Sequence, residues 1–197
     1  MHTQIYLARH GETEWSITGQ HTGLTDLPLT ARGEDNACAL GVRLRGLRFA
    51  KVFTSPLQRA RRTCELAGFG SNAEVDPELV EWNYGDYEGR RTADIHEERP
   101  GWNLFRNGCP HGESIQDVAA RVERVIARLR LVKGDVLVFG HRHCLSVVGA
   151  CWVGLPPVEA HVLMLSTGSL SIVGYEHTTG EPVICLWNDD RHISLEG

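Results

Sequence analysis

Residues 5–11 read Ile-Tyr-Leu-Ala-Arg-His-Gly, an apolar run that ends in a cation, an imidazole and a glycine. A continuous apolar run of this length is typical of a buried strand. Gly11 lets the chain leave that strand sharply, at a place where a side chain would block a ligand. Because open α/β sheets bind ligands at the carboxyl ends of their strands, we expect Arg9 and His10 to lie where chemistry occurs. The tripeptide alone fits a solvated strand end equally well, so His10 needs partners elsewhere in the chain.

The composition bounds the class of protein. A chain of 197 residues fits one domain, residues 1–197, with ample length for a single core. Its hydrophobic content of 42% and charged content of 23% are ordinary for a soluble globular protein. The net charge of −5 argues against a nucleic-acid partner, which would need a basic surface, but leaves a small anionic substrate open.

The cysteines indicate neither a metal site nor a cysteine phosphatase. None of the six has paired zinc-type spacing, and we expect no metal and no cofactor. Cys185 and Arg191 have the bare Cys-x5-Arg spacing of cysteine phosphatases. The residues between them include two carboxylates, which would repel a phosphate, and no glycine to form a phosphate-binding loop.

No stretch of the sequence predicts a secretory signal or a membrane span. The first residues lack a basic region followed by a cleavable apolar segment. A span takes ~20 apolar residues, and the closest run, Val147 to Val158, is interrupted by glycines and prolines. We therefore expect no membrane partner and a cytoplasmic location.

Strand and helix patterns alternate through the first three quarters of the chain. Strands are predicted at 5–11, 49–54, 73–76 and 135–139, and strand-like segments at 161–166, 169–176 and 183–187, with a turn at Thr179-Gly180. Three helices are predicted from their start signals: from an N-cap at Thr30 to about Leu47, from Ser55-Pro56 to Ala67, and from a capping box at Ser114 and Asp117 to Leu131. Two more helices are predicted at 92–98 and 144–152. Residues 102–112 are expected to be irregular, and the arginines at 121, 124, 128 and 130 to lie on a solvated helix face.

This alternation predicts an α/β fold, a three-layer αβα sandwich with a mostly parallel central sheet and a C-terminal antiparallel hairpin at its edge. The loop at 12–28 is too long for a simple turn, and such loops in compact domains are usually functional. Arg9-His10, Arg59 and His141 all fall at junctions between elements, and residues 78–88 offer several carboxylates. Arginines, histidines and a carboxylate form the set that phosphoryl transfer to a histidine needs.

Four segments resemble the signature of the histidine phosphatase (phosphoglycerate mutase-like) superfamily, in the order that family has them. They are Leu7-Ala8-Arg9-His10-Gly11-Glu12-Thr13, Ser55-Pro56-Leu57-Gln58-Arg59-Ala60, Glu81 to Gly89, and Gly140-His141. The resemblance implies that His10 is the nucleophile that forms a phosphohistidine. It also implies that Arg9, Arg59 and His141 hold the phosphoryl oxygens without a metal, and that Glu81 is the proton donor.

The resemblance extends to the substrate pocket. It implies that Ser16, Thr22 and Gly23 of the long loop meet the substrate; Arg62 stands where glutamine is usual, which we interpret as surface variation. Residues 81–89 and 107–114 resemble a subgroup that contains bacterial acid phosphatases once labelled mutases and the fungal sedoheptulose bisphosphatase. The further candidates for the pocket are Trp82, Tyr84, Arg142 and His143.

Hydrolysis is favoured over mutase chemistry because the chain is shorter than the mutases and its segment after Glu81 is compact. A neutral His10 with protonated His141 and Glu81 predicts a bell-shaped pH dependence that leans acidic. The alternatives are a phosphoglycerate mutase, a non-catalytic phosphate-binding module, and a metal-dependent hydrolase that uses His141 and His143. The expected partner is a small phosphorylated substrate, and the chain is expected to be a monomer or a homodimer.

Overall fold

A six-stranded sheet forms the centre of the computed structural model, which describes residues 3–193, and its strand order is β3-β2-β4-β1-β5-β6. The strands are β1 (Ile5–Arg9), β2 (Lys51–Thr54), β3 (Ala73–Val75), β4 (Val136–Gly140), β5 (Leu170–Tyr175) and β6 (Pro182–Asp189). The α-helices are α1 (Glu14–Thr18), α2 (Ala31–Arg43), α3 (Gln58–Leu66), α4 (Thr92–Glu98), α5 (Leu104–Asn107), α6 (Ile115–Leu131) and α7 (Arg142–Trp152).

The register of the parallel strands brings their carboxyl ends level. In the pairing of β1 with β4, Arg9 lies opposite Gly140, and in the pairing of β2 with β4, Thr54 lies opposite Phe139. The next residue of each strand therefore emerges at the same edge of the sheet. β5 and β6 add antiparallel strands on the far side of β1, which confirms the predicted C-terminal hairpin.

Two apolar cores cover the two faces of the sheet. Side chains alternate along a strand, so Ile5 and Leu7 face one side while Tyr6 and Ala8 face the other. Helices α6 and α7 cover the face of Ile5, and helices α2 and α3 cover the opposite face. The predicted three-layer αβα sandwich is thus confirmed.

Helix starts are predicted correctly where the capping residues are neighbours in the sequence. The Thr30 hydroxyl accepts the N–H of Gly33 (3.0 Å) at the start of α2. Ser114 and Asp117 form the reciprocal capping box that opens α6. α4 occupies the predicted residues, and the region predicted as irregular contains the short helix α5.

Two predictions of local structure are wrong. Helix α3 begins at Gln58 rather than at Pro56, and Leu57 takes the N-cap position. The predicted strand at 161–166 is instead the end of a 3-10 helix, Pro157–Val162, followed by irregular chain. In a strand, the backbone carbonyls of this segment would accept hydrogen bonds from a neighbouring strand. Here they accept them from side chains of other elements: Leu163 O from Ser146, Met164 O from Trp187 and Leu165 O from Arg9.

Within residues 3–193, no helix is both long and apolar enough to cross a membrane.

Candidate active site

The carboxyl ends of three neighbouring parallel strands bring the candidate residues together. The backbone N–H of His10, directly after β1, donates to the carbonyl of Gly140 at the end of β4 (3.0 Å). The N–H of Ser55, directly after β2, donates to the carbonyl of Phe139 (3.0 Å). His141 follows β4 at once. The sheet itself therefore fixes the backbones that carry these side chains.

The imidazole of His10 is held in one tautomer. Its Nδ1 lies 2.7 Å from the backbone oxygen of Gly11, and a carbonyl can only accept, so Nδ1 carries the proton. The unprotonated nitrogen is then Nε2, which is the one able to attack. Burial, and next the charges of Arg59 and Arg9, lower the pKa of His10 well below 6.5. His10 is consequently neutral, as a nucleophile requires.

Gly11 permits the close approach that this arrangement needs. A Cβ on Gly11 would lie 2.3 Å from the carbonyl oxygen of Gly33 in the first turn of α2. A Cβ on Gly33 would likewise lie 2.2 Å from the carbonyl oxygen of Glu12. Backbone packs directly on backbone here, and the N–H of Gly11 donates to the Thr63 hydroxyl of α3 (3.0 Å). The residue after His10 is thus fixed from two helices.

His141 is fully buried beside His10. Its Nε2 lies 2.8 Å from the hydroxyl oxygen of Ser55, which also accepts the N–H of Leu57 (3.3 Å). Within residues 3–193 the Ser55 hydroxyl has Nε2 as its only acceptor, so we assign its proton to this bond, which leaves the ring proton of His141 on Nδ1. That nitrogen is buried and has no hydrogen-bond partner within residues 3–193.

The expected protonation of His141 is not what the structure shows. Burial, followed by the charges of Arg59, His10 and Arg9, lowers the pKa of His141 well below 6.5. The ring is therefore neutral, and it offers one N–H rather than a full positive charge. Ser55 also explains why α3 begins later than predicted. Its hydroxyl bonds to His141 and does not cap the helix, and the N–H of Gln58 in the first turn of α3 donates to the Asp26 carboxylate instead (2.7 Å).

Two arginines, Arg59 fully buried and Arg9 half-buried, bring positive charge to the same place. Arg9 donates through Nη1 to the carbonyl of Leu165 (2.6 Å). Arg59 donates to the carbonyls of Thr25 (2.9 Å) and Gly23 (2.8 Å), which ties the long loop to α3. In the described part of the chain, the Nε atoms of Arg9 and Arg59 are both buried without an acceptor. Buried donors of this kind are costly unless an acceptor occupies the site.

The carboxylate of Glu81 is oriented by three backbone N–H groups, two of which lie at the start of α7. Oε1 accepts the N–H groups of Trp82 (2.9 Å) and Cys144 (2.9 Å), and Oε2 accepts that of His143 (3.0 Å). Oε1 is therefore fully engaged, whereas Oε2 retains a lone pair for the cavity that Glu81 lines. All three groups that donate to the carboxylate are backbone N–H groups.

A cavity of about 190 Å³ opens over His10. Its walls include eight of the residues predicted from the sequence, namely Arg9, His10, Ser16, Thr22, Glu81, Tyr84, Arg142 and His143. Arg59 and His141 are fully buried and lie outside the lining. The sequence analysis missed Thr13, Trp15, Gly19, Gln20, His21 and Thr92. Most of these belong to the loop already singled out by its length, which was the available signal.

The outer wall of the cavity is aromatic. The hydroxyl of Tyr84 lies 2.5 Å from Nδ1 of His143, and the ring of His21 packs on Tyr84 at 4.7 Å between centroids. Burial, and next the charge of Arg142, lower the pKa of His21 to about 4 and that of His143 well below 6.5. This wall therefore presents neutral rings and polar edges, with Arg142 as its cation.

Two residues predicted to touch substrate have other roles. Trp82 is fully buried in the core and donates its indole N–H to the carbonyl of Glu113 (2.8 Å). Gly23 lies behind the cavity wall, where its N–H donates to the Glu88 carboxylate (2.8 Å). A Cβ on Gly23 would lie 2.5 Å from the carbonyl oxygen of Trp82, so packing requires the glycine.

Arg121 is also placed differently from the prediction. Arg124 and Arg130 of α6 are exposed and Arg128 is half-buried, but Arg121 is buried beneath Glu81.

The metal alternative has no support in the geometry. Within residues 3–193 no three histidine, cysteine or acidic side chains cluster as a metal site would require. His141 and His143 turn to different partners, Ser55 and Tyr84 respectively.

A sheet edge that gathers two histidines, two arginines and an oriented carboxylate defines the class of enzymes that transfer phosphoryl groups through histidine. The sequence profile of the histidine phosphatase superfamily (branch 1) matches residues 5–190. The chain belongs to this superfamily.

Relatives of known name agree with the family assignment. The chain is 40% identical to the sedoheptulose 1,7-bisphosphatase of Saccharomyces cerevisiae, over 76% of this chain and 67% of the yeast protein. It is 39% identical to an acid phosphatase of Mycobacterium tuberculosis, over 88% and 87% of the two chains. The solved structure of an open reading frame from M. tuberculosis superposes with a TM-score of 0.89 at 37% identity, covering 94% of this chain and 97% of the other.

Proposed function

We propose that this enzyme is a metal-independent phosphomonoesterase that hydrolyses small phosphorylated metabolites, chiefly sugar phosphates, through a phosphohistidine on His10. One observation carries the proposal. The Nδ1 of His10 is occupied by the Gly11 carbonyl, so the nucleophilic Nε2 belongs to a neutral ring among buried N–H groups that have no acceptor within residues 3–193.

The buried donors match the charge of the reacting phosphoryl group. In phosphoryl transfer, negative charge spreads over three equatorial oxygens, and fixed donors stabilise it without reorganisation. Arg9, Arg59 and the Nδ1–H of His141 are such donors, and each has a buried N–H free for this purpose. They hold the phosphoryl oxygens while Nε2 of His10 attacks the phosphorus.

Glu81 moves the protons in both steps. In the first step the N–P bond to His10 forms, the P–O bond to the alcohol breaks, and the Glu81 carboxyl gives its proton to the leaving oxygen. In the second step Glu81 takes a proton from water, the water oxygen bonds to phosphorus, and the N–P bond breaks. Oε2 is the oxygen that has room for this proton, because Oε1 accepts two N–H groups.

The pocket beyond the phosphoryl group favours a polar metabolite. A cavity of about 190 Å³ accepts a small molecule, and its rings, hydroxyls and amide suit the hydroxyl groups of a sugar. Arg142 is exposed at this wall, and within residues 3–193 its guanidinium takes part in no ion pair. We propose that it favours substrates with a second anionic group, as the name of the yeast relative also indicates.

Hydrolysis is preferred to phosphoryl return because the two relatives above, at 40% and 39% identity, are named as phosphatases, whereas relatives named as probable phosphoglycerate mutases are 34–35% identical. The test is phosphate release from p-nitrophenyl phosphate, sugar mono- and bisphosphates and 3-phosphoglycerate at pH 5 to 8, with EDTA throughout. His10→Ala is the inactive variant, and His177→Ala, on the exposed C-terminal hairpin, is the matched control.

Release by the wild type and by His177→Ala, with loss in His10→Ala, supports the proposal. Acid-labile phosphate on the quenched wild-type protein identifies the intermediate. Loss of activity on addition of EDTA contradicts the metal-free route. Phosphoryl exchange between phosphoglycerates without phosphate release would identify a mutase, and phosphate binding with no turnover would identify a binding module.

A further inference from the structure

We infer that Arg121 is a positioning residue for Glu81, so that its guanidinium sets the efficiency of proton transfer to the leaving group. The inference rests on the proposed role of Glu81. Arg121 lies on α6, outside the cavity lining, and is 7% exposed. It touches no reacting atom, so any effect on the reaction must pass through Glu81.

The guanidinium holds the backbone that carries Glu81. Nη1 donates to the carbonyls of Glu78 (2.8 Å) and Val80 (2.9 Å), and Nη2 donates to the carbonyl of Glu81 itself (3.2 Å). These carbonyls belong to one short stretch, residues 78–81, which begins within the 3-10 helix Pro77–Leu79 and ends at Glu81. One planar group thus fixes the direction in which the Glu81 side chain leaves the backbone.

The same guanidinium fixes the chain just beyond Glu81 through Glu113. Nε and Nη2 of Arg121 lie 2.8 and 3.2 Å from the two carboxylate oxygens of Glu113, a bidentate pair. The Glu113 carboxylate also accepts the N–H of Asn83 (2.8 Å), and its backbone carbonyl accepts the indole N–H of Trp82 (2.8 Å). Glu81 is therefore clamped from both sides along the chain.

Arg121 also contacts Cys144, whose backbone N–H donates to the Glu81 carboxylate. Nη1 of Arg121 lies 3.4 Å from the sulfur of Cys144, and the backbone N–H of Cys144 donates to Oε1 of Glu81 (2.9 Å). Burial raises the pKa of the Cys144 thiol to about 11, so the sulfur is an uncharged neighbour. Arg121 thus contacts the backbone of Glu81 and also the residue that orients its carboxylate.

Lysine cannot reproduce this arrangement. It keeps the positive charge, but its single nitrogen cannot reach three carbonyls and both carboxylate oxygens from one position. We therefore expect Arg121→Lys to fold and to misplace Glu81. Arg124→Lys is the matched control, because Arg124 is an exposed arginine one turn away whose ion pair is with Glu78.

The experiment compares kcat/KM on two esters that differ in leaving group. p-Nitrophenyl phosphate releases a stable anion that needs little help from an acid, whereas glucose 6-phosphate releases an alkoxide that must be protonated. Losing a general acid costs about 10²-fold or more where the acid is needed. Arg121→Lys is expected to lower kcat/KM at least tenfold more on glucose 6-phosphate than on p-nitrophenyl phosphate, and Arg124→Lys to lower neither.

Glu81→Gln and the double variant distinguish the inferred role of Arg121 from the proposed role of Glu81. If Arg121 acts through Glu81, adding Arg121→Lys to Glu81→Gln costs little more on glucose 6-phosphate than Glu81→Gln alone. An equal fall on both esters, or full additivity in the double variant, would overturn the inference and leave Arg121 a purely structural residue.

If Glu81→Gln itself shows no dependence on the leaving group, the acid is misassigned, and the inference falls with the proposed role of Glu81. Should Arg121→Lys fail to fold by circular dichroism, Glu113→Gln provides the same comparison. It keeps the shape of the clamp and removes its charge, so it is expected to show the same selective loss, and an equal fall on both esters would again overturn the inference.

Discussion

The rings of His10 and His141 lie with their centroids 5.2 Å apart and their planes inclined at 56°, at the ends of neighbouring parallel strands. Two imidazolium ions at this distance would repel each other, and Arg59 and Arg9 add to that repulsion. The fold therefore keeps both rings neutral: one with an unprotonated Nε2, the other with a free Nδ1–H. In the proposed reaction the pair supplies a nucleophile and a hydrogen-bond donor rather than a base and a cation.

This pairing predicts the behaviour of the two rings with pH. A lowered pKa means that the neutral form persists as the pH falls through 6.5, where an unperturbed histidine is half protonated, so His10 and His141 should both still be neutral at that pH. The measurement is ¹⁵N NMR of the histidine-labelled protein, with free imidazole as an internal standard. His10 should show the Nδ1–H tautomer at that pH. A protonation step of His10 near pH 6.5 would contradict the arrangement.

Ser55→Ala tests the bond that sets the tautomer of His141. The 2.8 Å contact joins residues 86 positions apart, and its loss leaves Nε2 of His141 buried without a partner. A lost buried hydrogen bond costs about 1 to 1.5 kcal/mol, so kcat/KM should fall about tenfold while the protein stays folded. Ser71→Ala, at an exposed serine, is the control. Unchanged kcat/KM in Ser55→Ala would show that the Nδ1–H of His141 is fixed by something else.

Gly11→Ala tests the backbone contact behind His10. The added Cβ would lie 2.3 Å from the Gly33 carbonyl oxygen, and neither backbone can give way without moving β1 or α2. Overpacking of this kind costs about 1 to 3 kcal/mol, and we expect the free energy of unfolding in urea to fall by that amount. Gly180→Ala, whose Cβ would meet only the Thr178 hydroxyl at 3.6 Å, should leave it unchanged. Equal stabilities of the two variants would contradict the close packing.

The sequence predicted those features that local residues determine. The capping box of Ser114 and Asp117, the positions of His10 and His141 at the ends of buried strands, and the hairpin all depend on neighbouring positions, and all are confirmed. The role of Ser55 could not be predicted in this way. Its hydroxyl bonds to His141, which follows β4, instead of capping α3. The register of β2 with β4 brings Ser55 and His141 together.

Arg121 shows where the sequence held a signal that went unused. It lies three residues after Val118 and four before Val125, on the apolar stripe of α6, so helical periodicity alone places it on the buried face. The composition of the helix, rich in arginine, concealed this. The position of Trp82 is the opposite case, since an aromatic residue in a loop gives no indication whether it faces a cavity or a core.

His21→Gln tests how burial of neutral histidine affects stability. The folded-state pKa of about 4 lies below the value of 6.5 for an unperturbed histidine, so between these values the unfolded chain binds a proton that the folded chain does not. Stability is therefore lost as pH falls from 6.5 to 4. The free energy of unfolding in urea should fall more steeply over this interval for the wild type than for His21→Gln. Parallel curves would show that the folded protein protonates His21 as readily as the unfolded chain.

Arg142→Gln tests whether the cation at the cavity wall selects for a second negative charge. The positive charge of Arg142 acts on Arg9, His21 and His143, so it lies close enough to act on a substrate in the same cavity. An exposed charge pair contributes up to about 1 kcal/mol, which is about a fivefold change in a rate ratio. We expect the ratio of kcat/KM for fructose 1,6-bisphosphate to that for fructose 6-phosphate to fall by about this factor in Arg142→Gln. The ratio should not change in Arg45→Gln, at an exposed arginine beyond the end of α2. Because salt screens exposed charges, the wild-type ratio should also fall as ionic strength rises, and a ratio that responds neither to the substitution nor to salt would mean that Arg142 does not recognise the second anion.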